Sequence, residues 1–87
     1  MKIKRNIALS DSGFVFNPTT GDSFSTNPIG LEIIRLLKED KDAEQVKKHI
    51  LQHYMTDEVT FEKDYYDFVN MLTKLQLVEA DDNQAQD

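Results

Sequence analysis

The sequence predicts an α+β domain, a small three-stranded antiparallel sheet followed by three helices in a winged-helix-like arrangement. Three observations carry this prediction. Short apolar runs broken by turn residues occupy the first 26 positions, as expected for a meander of brief strands. Asn27-Pro28 then opens a run that is apolar almost all round. Further on, Phe61, Tyr65, Phe68, Leu72 and Leu75 recur at spacings of 4, 3, 4 and 3, the period of an amphipathic helix. The 87 residues divide into one domain over 1–79 and an acidic tail over 80–87, which its composition predicts to be disordered.

Residues 1–5 read as a lead-in or the start of a strand. Ile7-Ala8-Leu9 is a first strand, ended by the turn residues Ser10-Asp11-Ser12-Gly13. Phe14-Val15-Phe16 is a second, with both phenylalanines on one face and Val15 on the other. In the turn Asn17-Pro18-Thr19-Thr20-Gly21, proline fixes φ and Gly21 is free to take φ > 0. The third strand is Asp22, Ser23, Phe24, Ser25 and Thr26, with Phe24 pointing inward and the two serines outward. Asn27 then supplies an N-cap and Pro28 the first helical residue. Ile29, Ile33, Leu36 and Leu37 form the apolar face of the first helix, widened by Leu31 and Ile34. Asp42 with Gln45 is a capping-box pattern for the second helix, whose buried stripe is Ala43, Val46, Ile50 and Tyr54. Asp57 or Thr60 caps the third helix, and Leu77-Val78-Glu79 is a last extended piece.

Composition narrows the function. The chain has no cysteine, which removes disulfides, thiolate metal sites and thiol nucleophiles together and is compatible with a cytoplasmic protein. No apolar run approaches the roughly 20 residues of a membrane span. The net charge of −6 is uneven: Lys2, Lys4 and Arg5 are positive, Glu79, Asp81, Asp82 and Asp87 negative, and residues 6–78 carry the remaining −5. A nucleic-acid binder needs a basic face to displace counterions, and no helix here supplies one. With 39% hydrophobic residues, there is enough for one core layer and little for a deep catalytic cavity as well. These features favour a binding module.

The best functional lead is the third strand. Lying at the edge of a very small sheet, it offers unpaired N–H and C=O groups that accept a strand from another chain. Its polar side chains also fit a plain edge guarded against non-specific pairing. Other constellations are weaker. His49 and His53 stand at i, i+4, a spacing able to hold a metal, but no third ligand accompanies them, so no metal or other cofactor is expected. Asp57, Glu58, Glu62, Asp64 and Asp67 crowd the third helix. Without a desolvated cleft they are solvated charges rather than an acid–base pair, and they suit a basic partner. Thr19-Thr20-Gly21 is too short for a phosphate loop and lacks its lysine.

The ordered set Gly13-Phe14-Val15-Phe16, Asn17, Thr20-Gly21, Asn27-x-x-Gly30, Ile33-x-x-Leu36-Leu37, Tyr54 and Asp64-x-x-x-Phe68-x-x-x-Leu72-x-x-Leu75-x-Leu77-Val78 resembles the PqqD-like family. It spans about residues 7–79. Members are small peptide chaperones, or recognition elements, in pathways that modify ribosomally made peptides. The resemblance implies a compact winged-helix-like fold and a non-enzymatic role: binding the leader of a precursor peptide and presenting it to a modifying enzyme, of radical-SAM or other type. It further implies that the leader adds as a strand to the third strand and packs beside the third helix. The expected peptide site is therefore Asp22, Ser23, Phe24, Ser25 and Thr26 together with Glu62, Tyr65, Tyr66 and Val69 on one shoulder of that helix, Asp64 and Met71 lying on the opposite flank. Lys74 and Gln76 depart from the apolar or glycine-containing helix end common in the family. Two alternatives stand beside this reading. One is a winged-helix nucleic-acid binder, disfavoured by the acidic third helix; the other is an adaptor that pairs with a partner enzyme or a second copy through the same edge, making the chain a monomer or weak homodimer.

Overall fold

The computed structural model describes residues 2–79, and the tail assigned to 80–87 lies outside them. Three strands and three helices follow in order: β1 (Ala8–Leu9), β2 (Phe14–Phe16), β3 (Ser23–Ser25), α1 (Pro28–Lys38), α2 (Ala43–His53) and α3 (Glu58–Lys74). The sheet is antiparallel with order β1-β2-β3, so β3 is an edge.

Register decides which way the sheet faces. Val15 pairs with Leu9 and Phe24, while Phe16 pairs with Ala8 and Ser23, and Phe14 with Ser25. Directly paired residues share a face. Val15 is fully buried and Phe24 packs half-buried on the core, so this face meets the helices. The other face carries Phe14, Phe16, Ser23 and Ser25, with Phe14 46% and Phe16 37% exposed.

The turns obey their local chemistry. Gly13 has φ of +93°, and a Cβ there would run into the Thr26 carbonyl oxygen; that close approach lets Thr26 N–H donate to the Gly13 carbonyl at 2.8 Å. Asn17 is buried. Its Oδ1 accepts from Thr19 N–H at 3.0 Å, and its Nδ2 reaches the Gln76 carbonyl at 3.4 Å, tying the β2–β3 turn to the end of α3.

All three helix starts expected from the sequence are present. Asn27 Oδ1 accepts from Gly30 N–H at 2.8 Å, Asp42 and Gln45 form a reciprocal capping box, and Asp57 Oδ1 accepts from Thr60 N–H at 2.7 Å. Such caps are each worth about 0.5–2 kcal/mol. Ile33, Ile34, Leu36 and Leu37 of α1 meet Val46 and Ile50 of α2 and Phe61 and Leu72 of α3 in one core, each fully buried large aliphatic contributing about 1.5–3 kcal/mol. Ala43, expected in the α2 stripe, is exposed, since it lies on the first turn ahead of the buried Val46.

Two features exceed what local pattern gave. Residues 2–4 are not loose: Ile3 is buried and bridges antiparallel to Val78, with Lys4 N–H donating to Leu77 O and Glu79 N–H to Lys2 O. The end of α3 is also defined. Gln76 takes φ of 62°, Gln76 N–H donates to Thr73 O, and Leu77 N–H donates to Leu72 O, which is a Schellman motif. Asp40 closes α1 the same way at φ of 66°.

Candidate functional site

The outer edge of β3 can be read residue by residue. Asn17 N–H donates to Asp22 O and Thr26 N–H to Gly13 O, so these flanking pairs are hydrogen-bonded ones. Antiparallel pairs alternate, which makes Val15 with Phe24 the next hydrogen-bonded pair. The main-chain groups of Asp22, Phe24 and Thr26 therefore point inward to β2. Those of Ser23 and Ser25 point away from the sheet, leaving two N–H donors and two C=O acceptors along one line. At the opposite edge, β1 is only two residues long, and Lys38 Nζ already donates to the Ile7 carbonyl just ahead of it at 2.7 Å.

A groove of about 460 Å³ adjoins the end of β3 and separates the start of α1 from α3. Asn27, Ile29, Gly30 and Ile33 form one wall, and Asp64, Asp67, Phe68 and Met71 the other. Gly30 sets its shape. A Cβ at this position would run into Thr26 Oγ1 and stand 3.2 Å from both Asn27 Oδ1 and Phe68 Cε1. The missing side chain thus lets the Phe68 ring and the Thr26 side chain converge on the α1 backbone, linking the edge strand, α1 and α3 at one point. The floor is apolar and the α3 rim is acidic.

The α3 shoulder expected from the sequence does not line this groove. Glu62 points to α2, where its Oε2 lies 3.3 Å from Lys47 Nζ; Glu58 lies 2.8 Å and Glu44 3.4 Å from the same ammonium. Glu58 and Glu62, with Glu44, hold the Lys47 ammonium well above its usual range. Tyr65 stacks on Phe61 with ring centroids 5.4 Å apart; burial, with the Asp42 carboxylate nearby, pushes its phenol up. Tyr66 is exposed and Val69 half-buried. Of the named residues, the structure brings residues 22–26 to the edge and its ends, and it places the opposite flank of α3 beside them. Asn27, Ile29, Gly30, Ile33, Asp67 and Phe68 are lining residues that sequence reasoning missed. One signal was available: a glycine early in an otherwise apolar helix marks a close approach.

Elsewhere the charged groups serve the fold. Arg35 Nη2 donates to Asp11 Oδ1 at 2.7 Å beside a smaller polar cavity of about 220 Å³. His49 Nε2 lies 2.8 Å from Glu32 Oε2, and His49 stacks on His53 at 4.2 Å. Among the described residues, no group of three or more His, Cys, Asp or Glu could hold a metal ion, and no helix is long and apolar enough to cross a membrane.

An open edge, an adjoining apolar groove and the β-β-β-α-α-α order stand together over nearly the whole described chain. A family model described as coenzyme PQQ synthesis protein D (PqqD) matches residues 13–78. The chain belongs to the PqqD family. A solved structure of TbiB1 in complex with the TbiA(beta) leader peptide is similar to it, with 32% identity and a TM-score of 0.80, covering 93% of this chain and 100% of that one. No curated protein matches the chain. The PqqD-family match begins at Gly13 and ends at Val78, so it takes in both walls of the groove and all of β3.

Proposed function

We propose that this chain is a non-catalytic peptide chaperone that binds the leader segment of a ribosomally made precursor peptide and presents it to a separate modifying enzyme, of radical-SAM or other type. The single observation that carries the reading is the open edge of β3 beside an apolar groove, in a PqqD-family chain similar to a protein solved with a leader peptide. Strand addition supplies sequence-independent affinity through the Ser23 and Ser25 main chain, and side chains entering the groove supply specificity. Every second residue of the added strand faces the groove, on the same side as Phe24; the others face the side of Ser23, Ser25, Phe14 and Phe16. The acidic rim and net charge of −6 oppose nucleic acid as the ligand. The reading places the chain in the cytoplasm, as a monomer or a weak homodimer through the same edge.

The site we propose comprises Asp22, Ser23, Phe24, Ser25 and Thr26 with the α3 residues Asp64, Asp67, Phe68 and Met71. The shoulder of Glu62, Tyr65, Tyr66 and Val69 is a second candidate surface. Titrating the isotope-labelled chain with the leader of a precursor peptide encoded beside it separates the two. Amide shifts at residues 22–26 with Asp64, Asp67, Phe68 and Met71 are expected, whereas shifts at residues 22–26 with Glu62, Tyr65, Tyr66 and Val69 would assign the peptide to the second surface. Shifts confined to positions far from β3 and α3 would show that the peptide binds elsewhere.

A further inference from the structure

The carboxylates of α3 divide into those the fold uses and those it leaves free. Asp57 caps the helix, and Glu58 and Glu62 bind Lys47. Asp64 and Asp67 have no cationic partner within 4.0 Å among the described residues, and these are the two that line the groove. Arg35 is paired with Asp11, Lys38 with the Ile7 carbonyl and Lys47 with its three glutamates, and Lys63, four residues ahead of Asp67 on α3, makes no ion pair within 4.0 Å among the described residues. At i, i+3 the two aspartates sit on one helix face, where like charges repel mildly. A cation placed between them relieves that repulsion.

The groove thus has an acidic end at Asp64 and Asp67 and an apolar end at Phe68 and Met71, facing Ile29 and Ile33. The centres of these two pairs lie four residues apart, about 6 Å along the helix axis. Alternate side chains of an extended strand lie about 6.6 Å apart. For a strand that runs along α3 the two spacings match. Resting on the leader-binding reading above, we infer that the groove selects an extended peptide carrying an apolar side chain and, two residues away on the same face, a lysine or arginine held by Asp64 and Asp67. The apolar side chain is buried against Phe68 and Met71 and supplies affinity. The cation supplies discrimination, because a neutral or acidic residue at its position leaves the two carboxylates uncompensated or adds to their repulsion.

The test is a selection from a display library of twelve-residue peptides, randomised throughout, against the full chain, followed by amide-shift mapping of the recovered peptides. Peptides that shift Ser23 and Ser25 are expected to be enriched in an apolar-x-Lys/Arg or Lys/Arg-x-apolar pattern. Replacing the basic residue of such a peptide by glutamine should weaken binding about two- to fivefold at low salt. The same selection against the Asp64→Asn/Asp67→Asn chain, whose exposed substitutions leave the core untouched, should lose the basic enrichment and keep the apolar one. Peptides that shift Ser23 and Ser25 but show no basic enrichment, or the same enrichment with both chains, overturn the inference and leave strand addition standing. Recovered peptides that leave Ser23 and Ser25 unshifted overturn strand addition and the inference with it.

Discussion

Ser25→Pro distinguishes the two sides of β3 most cleanly. Register directs the Ser25 N–H outward, so proline there removes no bond of the β2–β3 ladder. Proline is tolerated in a strand at an edge position whose N–H faces solvent, and residue 24 already has the extended backbone that proline requires before it. The free chain should lose no more than about 1 kcal/mol, read as a fall in Tm of roughly 4–8 °C or less for a domain of this size. Binding should suffer more. One main-chain hydrogen bond to the added strand is worth about 0.5–1.5 kcal/mol, and the proline ring occupies the line of approach, so leader affinity measured by calorimetry should fall about tenfold or more. Phe24→Pro is the contrast: its N–H belongs to the ladder with Val15 and its ring packs on the core, so it should unfold the sheet. A folded Ser25→Pro chain that binds a leader at full affinity would refute strand pairing at this edge. A Ser25→Pro chain as unfolded as Phe24→Pro would refute the register itself.

Three further outcomes follow from single positions. Gly30→Ala gains about 1 kcal/mol of helix propensity but sets a methyl 3.2 Å from Phe68 Cε1 and against Thr26 Oγ1; overpacking of about 1–3 kcal/mol makes it net destabilising in a denaturant melt, and Thr26→Ala should relieve part of that cost in a double-mutant cycle. Gln76→Gly removes the strain of a side chain at φ of 62° and should raise stability by about 0.5–1 kcal/mol without touching the groove, as a thermal melt with unchanged peptide affinity would show. Asp57→Ala tests a pH dependence. The Thr60 backbone N–H holds the Asp57 carboxyl below its ordinary value near 3.8, so its contribution is present above that value and is lost as pH falls through the lower folded one. The wild-type chain should therefore be the more stable at neutral pH, and its advantage in denaturant melts should shrink as pH falls through that lower folded value.

Most of the fold was legible because its signals are local. Asn27, Asp42 and Asp57 each announce a helix start by side-chain chemistry, and the repeat from Phe61 to Leu75 fixes a helix and its buried stripe. The candidate site was legible only in half. Edge position follows from strand order, so β3 could be named from sequence. A helical wheel, however, gives the angles between side chains within α3 and not how α3 is rotated against α1. That rotation is set by the packing of Phe61 and Leu72 in the core and by Gly30, whose missing Cβ admits Phe68, while Glu58 and Glu62 on the other side pair with Lys47 on α2. Both are contacts between elements, invisible to periodicity. The same holds for Ile3 with Val78 and for buried Asn17 reaching Gln76, where partners lie at opposite ends of the domain. The left-handed turn at Gln76 was hidden for a different reason: its residue is not the glycine that such a position favours.

Amide hydrogen exchange tests the central claim most directly. In the free chain, Ser23 and Ser25 N–H groups face outward and should exchange quickly, while Phe24 and Thr26, paired to β2, should exchange slowly. If the leader adds as a strand, the two serine amides exchange only from the unbound fraction. At a peptide concentration a hundred times Kd they should slow about a hundredfold. Phe24 and Thr26 should change no more than the whole domain does. Saturating leader that leaves Ser23 and Ser25 exchanging at their free rates would contradict the account.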